Sequence, residues 1–521
     1  MPQNDMRKFR GDYQEFREMT EKFYQKEINV AQYKGFSGRF GSYAQRGGAA
    51  SMLRLRLAGG EISKENLKFI VDSIASYQIS LTHLTTCQSL QLHNLSKTQV
   101  CALAEEAFDH GIISLGGGGD YPRNVMCSPL SGVQKDEPFD VLPYARAAED
   151  YLLGLLGKVK LPRKLKVAFS NSRDNMTHAT FRDLGFVATP QGKFDVYSAG
   201  GLGREPRMGV LVAEGIEPAK ILYYIKAMVD TFTTHGNYQN RGKARTRYMQ
   251  ETLGVEGYRD AYQEKLGQAL AEGGLDLTLL ENGALDGYPS LTASPKQGDG
   301  KTLEHSRAIP QIQDGLYAVS YHPIGGNPQP EFWKKLYDAI LPMEGVTARI
   351  SPEQDLYIIN LSASEAEQIL ELTADGAESL FETSVSCIGA SICQVGARDS
   401  QKLLHACMEA VRKEGLTKAL PQIHISGCPS SCSAHQAAAL GFRGGVKQTP
   451  DGPKPAFAVF ENGCGMQGQE AFGTDLGVIT EEEIPSFLVE LGREIASRNT
   501  DYRTFTETHR DEFLKIVEKY A

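Results

Sequence analysis

Apolar and polar positions follow one another in the same order at two places in this chain. Residues 52–57 are a short apolar run ended by Gly59 and Gly60, which predicts a strand and a tight turn. Ser63 can cap a helix running to about Tyr77. Residues 89–93 alternate Leu with polar side chains, as a strand does. Ser96 can cap a second helix, stopped at Gly111. The order strand, helix, strand, helix returns 266 positions later. Gly59 and Gly60 map onto Gly325 and Gly326, Gln88 onto Gln354, and Asn94, Leu95 and Ser96 onto Asn360, Leu361 and Ser362. A duplicated unit is the economical explanation. The same offset sets Cys127 opposite Cys393. A second correspondence relates LPRKLKVAFSNS, from Leu161, to LPQIHISGCPSS, from Leu420, at an offset of 259. Leu184, Gly185 and Phe186 match Leu440, Gly441 and Phe442 at 256. The chain therefore reads A, B, A′, B′, with residues 285–315, rich in Pro, Gly and Ser, as the link between halves.

Composition narrows the class. A length of 521 residues predicts two to four domains with large cores. A net charge of −9 argues against a general nucleic-acid binder. The first residues, MPQNDMRKFRGDYQEF, lack the apolar stretch of a signal peptide, and no window approaches a spanning helix. The expectation is a soluble protein of a reducing compartment, cytoplasmic, with neither nucleic acid nor membrane as partner.

Four cysteines carry the chemistry. Cys387 and Cys393 form a C-x5-C pair, Cys428 and Cys432 a C-x3-C pair. Thiolates select zinc or an iron–sulfur cluster over harder cations. The wide C-x5-C spacing favours a cluster over the tight knuckle of structural zinc. The cysteine count is odd, at nine, which disfavours a disulfide framework. Cys428 and Cys432 stand at i, i+4 beside Pro429, so a helical turn would put both sulfurs on one face. Cys87, Cys101, Cys127, Cys407 and Cys464 read as core thiols, and His424 and His435 as packing or supporting residues. GGLGRE, from Gly200, lacks the spacing of a dinucleotide fingerprint.

The duplication, the two cysteine pairs and three basic motifs in order (MLRLRL, DYPRNVMC, LPRKLK) resemble the sulfite/nitrite reductase family, which couples siroheme to a [4Fe-4S] cluster. The resemblance implies that Cys387, Cys393 and Cys428 hold the cluster and that Cys432 holds it and also ligates the siroheme iron. It places Arg54, Arg123, Lys164 and Lys166 at anion-binding positions, and Gln88, Arg163, Arg241, Lys243, Arg245 and Ser430 at cofactor-binding ones. A dianionic substrate and an eight-carboxylate cofactor need a cationic cavity. Taken singly, Arg54 reads as a surface charge, Lys164 and Lys166 as one solvated strand face, and the Arg/Lys run at 240–248 as a solvated helix face. The four glycines 116–119 read equally as an anion cradle or a turn. Two departures stand out: Cys87 occupies a position where many members have arginine, and Ser430 one where CPNGC members have asparagine.

The implied activity is six-electron reduction of sulfite to sulfide, with electrons from an external one-electron donor such as ferredoxin. Lys166, where nitrite-reducing members tend to have asparagine, favours the dianion by Coulomb attraction. Nitrite reduction on the same site is the alternative, and a non-catalytic zinc or iron–sulfur electron-transfer protein the rival class. The expected fold is α+β, a pseudo-two-fold duplication of ferredoxin-like half-domains with two α/β siroheme and Fe–S domains. The expected boundaries are an extension at 1–40, half-domains at 41–140 and 301–380, a siroheme-binding domain at 141–300 and the cluster domain at 381–521.

Overall fold

A computed structural model describes residues 6–281, 284–290 and 296–521. Residues 291–295 of the expected link lie outside the described residues. The first repeat forms a four-stranded antiparallel sheet: Ser42–Ala44, Ser51–Leu55, Leu90–Leu95, then Thr82–Leu84. Helices Lys64–Tyr77 and Lys97–Asp109 follow the strands. The first starts where Ser63 accepts a hydrogen bond from Asn66 N, and it buries Leu67, Ile70 and Ile74 along one stripe. The second starts at a capping box of Ser96 and Gln99, and its counterpart Ala363–Leu372 at one of Ser362 and Glu365.

The second repeat's sheet runs Ala308–Pro310, Tyr317–Tyr321, Leu356–Leu361, Thr347–Ile350, and is completed by Glu61–Ile62 from the first repeat. Backbone conformation repeats with the sequence: Gln88 and Gln354 have φ of 56° and 69°, Asn94 and Asn360 of 61° and 64°. One hydrophobic core passes through both repeats, from Phe9 to Leu370. Trp333 Nε1 donates to Thr82 Oγ1 across the join at 3.0 Å. The N-terminal helix Asp12–Tyr24 contributes Tyr13 and Phe16 to that core.

Two five-stranded sheets complete the fold, each with its first three strands parallel and the rest antiparallel. One runs Met126–Cys127, Val167–Ser170, Leu184–Ala188, Phe194–Ser198, Val210–Ile216. The other runs Val385–Ser386, Ile423–Ser426, Leu440–Thr449, Gly452–Glu461, Thr474–Thr480. Strand register corrects two of the sequence alignments. Val167 pairs with Leu184 and Ile423 with Leu440, so these strands correspond at 256 and not at 259. Gln88 bonds both backbone groups of Cys127 and Gln354 both of Ser386, so Cys127 stands opposite Ser386 and not Cys393. The loops between matched strands differ in length, which a single offset cannot follow. Among the described residues no helix is long and apolar enough to cross a membrane.

Candidate functional site

Between the first ferredoxin-like sheet and the two five-stranded sheets lies a cavity of about 1110 Å³. Strand alternation delivers Arg54 to it: Met52, Leu53 and Leu55 are buried while Arg54 remains half-buried on the cavity side. Arg123 enters from the segment that bridges Pro122 to Leu165 in parallel, with Arg123 N donating to Leu165 O at 2.8 Å. Arg54 Nη1 and Arg123 Nη1 both donate to Gly117 O, and Arg123 Nη2 donates to Gly119 O at 2.8 Å. The glycine turn at 116–119 is thus a carbonyl platform for two guanidinium groups. It lies flush against the N-terminal segment, since a Cβ on Gly118 would stand 2.6 Å from both Gly38 O and Tyr43 Oη. Lys164 and Lys166 flank the fully buried Leu165, so period two turns both ammonium groups toward the cavity.

The cavity is cationic. Its described lining includes ten Lys or Arg side chains and one carboxylate, Asp120. Arg56 is already neutralised: its Nε donates to Glu149 Oε1 at 2.8 Å. Asp120 holds Arg163 and Arg241 together, each with a 2.7 Å bond. Burial opposes ionisation of Asp120, but those two arginines prevail and lower its pKa. Burial and the other cations lower the pKa of Lys164 well below that of a free lysine. Lys166 moves the same way, chiefly through burial, with Cys87 opposing. Burial, opposed by Tyr43 and assisted by Arg54, brings Arg123 down to about 10. For Tyr43 burial pulls upward, but Arg123 and the Gly119 N–H outweigh it and the pKa falls. His83 and His93 are pushed down to about 4 and about 3, first by burial, so these imidazoles are neutral at physiological pH. The positive field therefore comes from lysine and arginine alone.

All four cysteines of the two pairs line the cavity. Cys387 accepts a hydrogen bond from Gly427 N at 3.2 Å and lies 3.0 Å from Ser400 Oγ. Arg46 from the first repeat holds the C-x5-C loop, donating to Cys393 O and Gly396 O. Cys432 opens onto the cavity yet sits deep in the protein. Burial, then Cys387, with Lys164 opposing, pushes its thiol up to about 12. The helical turn expected across Cys428 and Cys432 is absent. Ser431 has φ 51°, a left-handed conformation that breaks a helix, and its side chain turns to Gln436. Both cysteines reach the cavity from a turn instead. Among the described residues no three His, Cys, Asp or Glu side chains are arranged to hold one metal ion.

The other sequence-predicted residues divide. Arg163, Arg241 and Ser430 line the cavity. Gln88 does not: its fully buried amide donates to Gly59 O, Cys127 O and Ile350 O, so it ties the two repeats together. Lys243 is exposed and pairs with Glu251 outside the cavity. Arg245 is turned inward onto the buried carboxylate of Asp183, at 2.8 and 2.9 Å. The run at 240–248 is no solvated helix face but two short 3-10 turns, which send successive basic residues in different directions. Cys87, assigned to the core, lines the cavity. Lys34, Tyr43, Lys158 and Lys160 line it too and were missed. Lys158 and Lys160 continue the alternation of KVKLPRKLK, which was a readable signal. Lys34 rides on the helix Val30–Ser37, in a segment taken for an extension.

Residues 43–107 match the family model described as the nitrite/sulfite reductase ferredoxin-like half domain, and residues 118–270 the one described as the nitrite and sulphite reductase 4Fe-4S domain. The chain belongs to the nitrite and sulfite reductase family. A ferredoxin–nitrite reductase of Synechococcus elongatus is 26% identical over 418 residues, 77% of each chain. A sulfite reductase [ferredoxin] of Mycolicibacterium paratuberculosis is 23% identical over 472 residues, 87% of this chain and 81% of that one. The solved structure of Mycobacterium tuberculosis NirA superposes with a TM-score of 0.74 at 22% identity, covering 91% of this chain and 89% of that one, which is agreement of fold. As a member of this family the chain is an oxidoreductase whose cofactors are siroheme and a [4Fe-4S] cluster.

The residues present fit both groups. Both family-model matches fall in the first repeat, so the cysteines of the second are tested by their geometry. All four thiols line one cavity, and four thiolates are the usual complement of a cubane cluster. Arg123 Nε is buried without a hydrogen-bond partner, a donor that an anionic group would satisfy. The Arg163–Asp120–Arg241 clamp already binds a carboxylate at the rim.

Proposed function

We propose that this chain reduces sulfite to sulfide, with six electrons delivered singly by an external ferredoxin-type donor. The observation that carries the reading is a cavity with ten basic side chains against one carboxylate and four thiols in its wall. The names of relatives, sulfite reductase [ferredoxin] and ferredoxin–nitrite reductase, support both the donor and the substrate class. When bound, the siroheme and the cluster supply the reducing centre and the electron path. Cys387, Cys393, Cys428 and Cys432 would hold them by sulfur, and Arg163, Arg241, Lys158 and Lys160 would meet carboxylates at the rim. Arg123, its fork fixed on the carbonyls of Gly117 and Gly119, orients the oxyanion together with Arg54. Lys164, whose buried ammonium releases its proton readily, passes protons to the departing oxygens. Lys166 adds charge that favours a dianion.

Nitrite is the second reading, favoured by the relatives named ferredoxin–nitrite reductase. The visible spectrum of the purified protein tests the class: a Soret band with iron present is expected, and zinc, or iron without a tetrapyrrole, overturns it. Values of kcat/KM for sulfite and nitrite with one donor test the substrate; a clear nitrite preference reverses the order.

A further inference from the structure

The duplication gives the surroundings of Cys387 a counterpart without thiols. The two halves keep the same backbone there. Cys387 N donates to Ile425 O, and Ser128 N to Phe169 O, each at 3.2 Å. Gly427 N donates to Cys387 Sγ, and Asn171 N to Ser128 Oγ, again each at 3.2 Å. Ser128 is therefore the twin of Cys387. The helices that follow, Leu142–Leu153 and Ser400–Lys413, meet matching glycines. A Cβ on Gly59 would run into Leu142 Cδ1, and one on Gly325 into Gln401 Oε1, so Leu142 is the twin of Gln401 and Val141 of Ser400. Val141 and Ser400 are both fully buried. The scaffold thus accepts an apolar side chain at this position, and the half that carries the thiols has a hydroxyl there. Ser400 Oγ lies 3.0 Å from Cys387 Sγ and 2.8 Å from Cys387 O. Gln401 Nε2 serves carbonyls, those of Gly325, Cys387 and Ser386, at 2.9, 3.1 and 3.4 Å.

We propose that Ser400 tunes the reduction potential of the iron–sulfur cluster, acting through the sulfur of Cys387. This rests on the reading of the four thiols as cluster ligands. A sulfur that has given up its proton to bind metal can only accept, so the Ser400 hydroxyl is then the donor of the pair. Cys387 Sγ takes two hydrogen bonds in that state, from Gly427 N and from Ser400 Oγ. The first belongs to the scaffold, since Asn171 N serves Ser128 in the same way. The second is the addition of this half. A donor to a ligating sulfur stabilises the reduced, more negative cluster over the oxidised one and so raises its potential.

Redox titration of the holoenzyme, with the cluster followed by its EPR signal, tests this. Ser400→Val, which installs the side chain of the twin, is expected to lower the midpoint potential by about 59 mV, a roughly tenfold loss in the equilibrium constant for one-electron reduction. Ser400→Thr, with the same shape and the hydroxyl kept, is expected to stay near the wild-type potential. Gln401→Leu, again the side chain of the twin, loosens the same loop through its carbonyls and is expected to leave the potential near wild type. A wild-type potential in Ser400→Val, or equal falls in Ser400→Val and Gln401→Leu, overturns the inference while the cluster itself remains. Should Ser400→Val lose iron, Ser400→Ala against Ser400→Thr decides by the same measure: a lower potential in the Ala variant supports the inference and equal potentials overturn it. If the wild-type protein holds no cluster, the reading of the thiols fails and this inference with it.

Discussion

At the scale of single residues, the cavity works by keeping charges uncompensated. Arg56 shows the opposite case, a guanidinium silenced by Glu149, while Arg123 is steadied by carbonyls and keeps its charge for a ligand. Lysine cannot span Gly117 O and Gly119 O as a planar fork does. Arg123→Lys should therefore weaken sulfite binding roughly tenfold, read by Soret titration, with cofactor content unchanged. The position matching Cys87 in the second repeat is Glu353, 266 residues on. Burial, then Asp355, raises its pKa to about 7, with Gln422 opposing. A carboxyl raised on folding favours the native state below the unfolded value near 4.5, and that contribution is lost as pH climbs through about 7. Glu353→Gln should match the wild-type Tm in acid and exceed it above neutrality, as a pH series of thermal melts would show. One position of the duplicated turn thus bears a sulfur among cations and the other a carboxyl among acids. Neither environment is visible in TTCQ or SPEQ alone, because the facing groups come from other elements.

At the scale of elements, the turns matter as much as the strands. Gln354 Nε2 donates to Leu84 O and Ser386 O, and its Oε1 accepts from Ser386 N, beside Cys387. Gln354→Leu leaves those buried groups unpaired at a cost of about 2–4 kcal/mol. It should lower Tm by several degrees and reduce iron per chain; iron content at the wild-type level would show that the turn does not support the C-x5-C loop. Helix starts were legible because capping is local: Ser63, Ser96 and Ser362 all cap as their sequence suggests. The repeat's strands were legible from their alternation. The turn at Cys428 was not, because i, i+4 spacing and Pro429 satisfy a helix rule that left-handed Ser431 then breaks. Gln88 was misassigned for a related reason. Its match to Gln354 signalled the duplication, and the shared task is backbone hydrogen bonding, not contact with a cofactor.

At the scale of the molecule, one cavity draws on both repeats and on the N-terminal helices. The architecture was readable in advance because duplication leaves long-range marks in the chain, and the two cysteine pairs singled out in the sequence do line one cavity. Lys34 was not readable, since nothing in the local pattern of its helix ties residue 34 to the cavity. Cys432→Ala should abolish the Soret band and deplete iron together, whereas Cys464→Ala, outside the cavity lining, should retain both; a Soret band surviving the first change would separate the thiol from the haem. The edge strand Glu61–Ile62 has a further consequence. Its pairing partner, Thr347–Ile350, is made nearly three hundred residues later on the ribosome. Until then the early segment has an open edge, exposed to chaperones and to aggregation. Cys432, the last thiol of the cavity wall, emerges later still, so a group held by all four thiols could be seated only after that residue has been made.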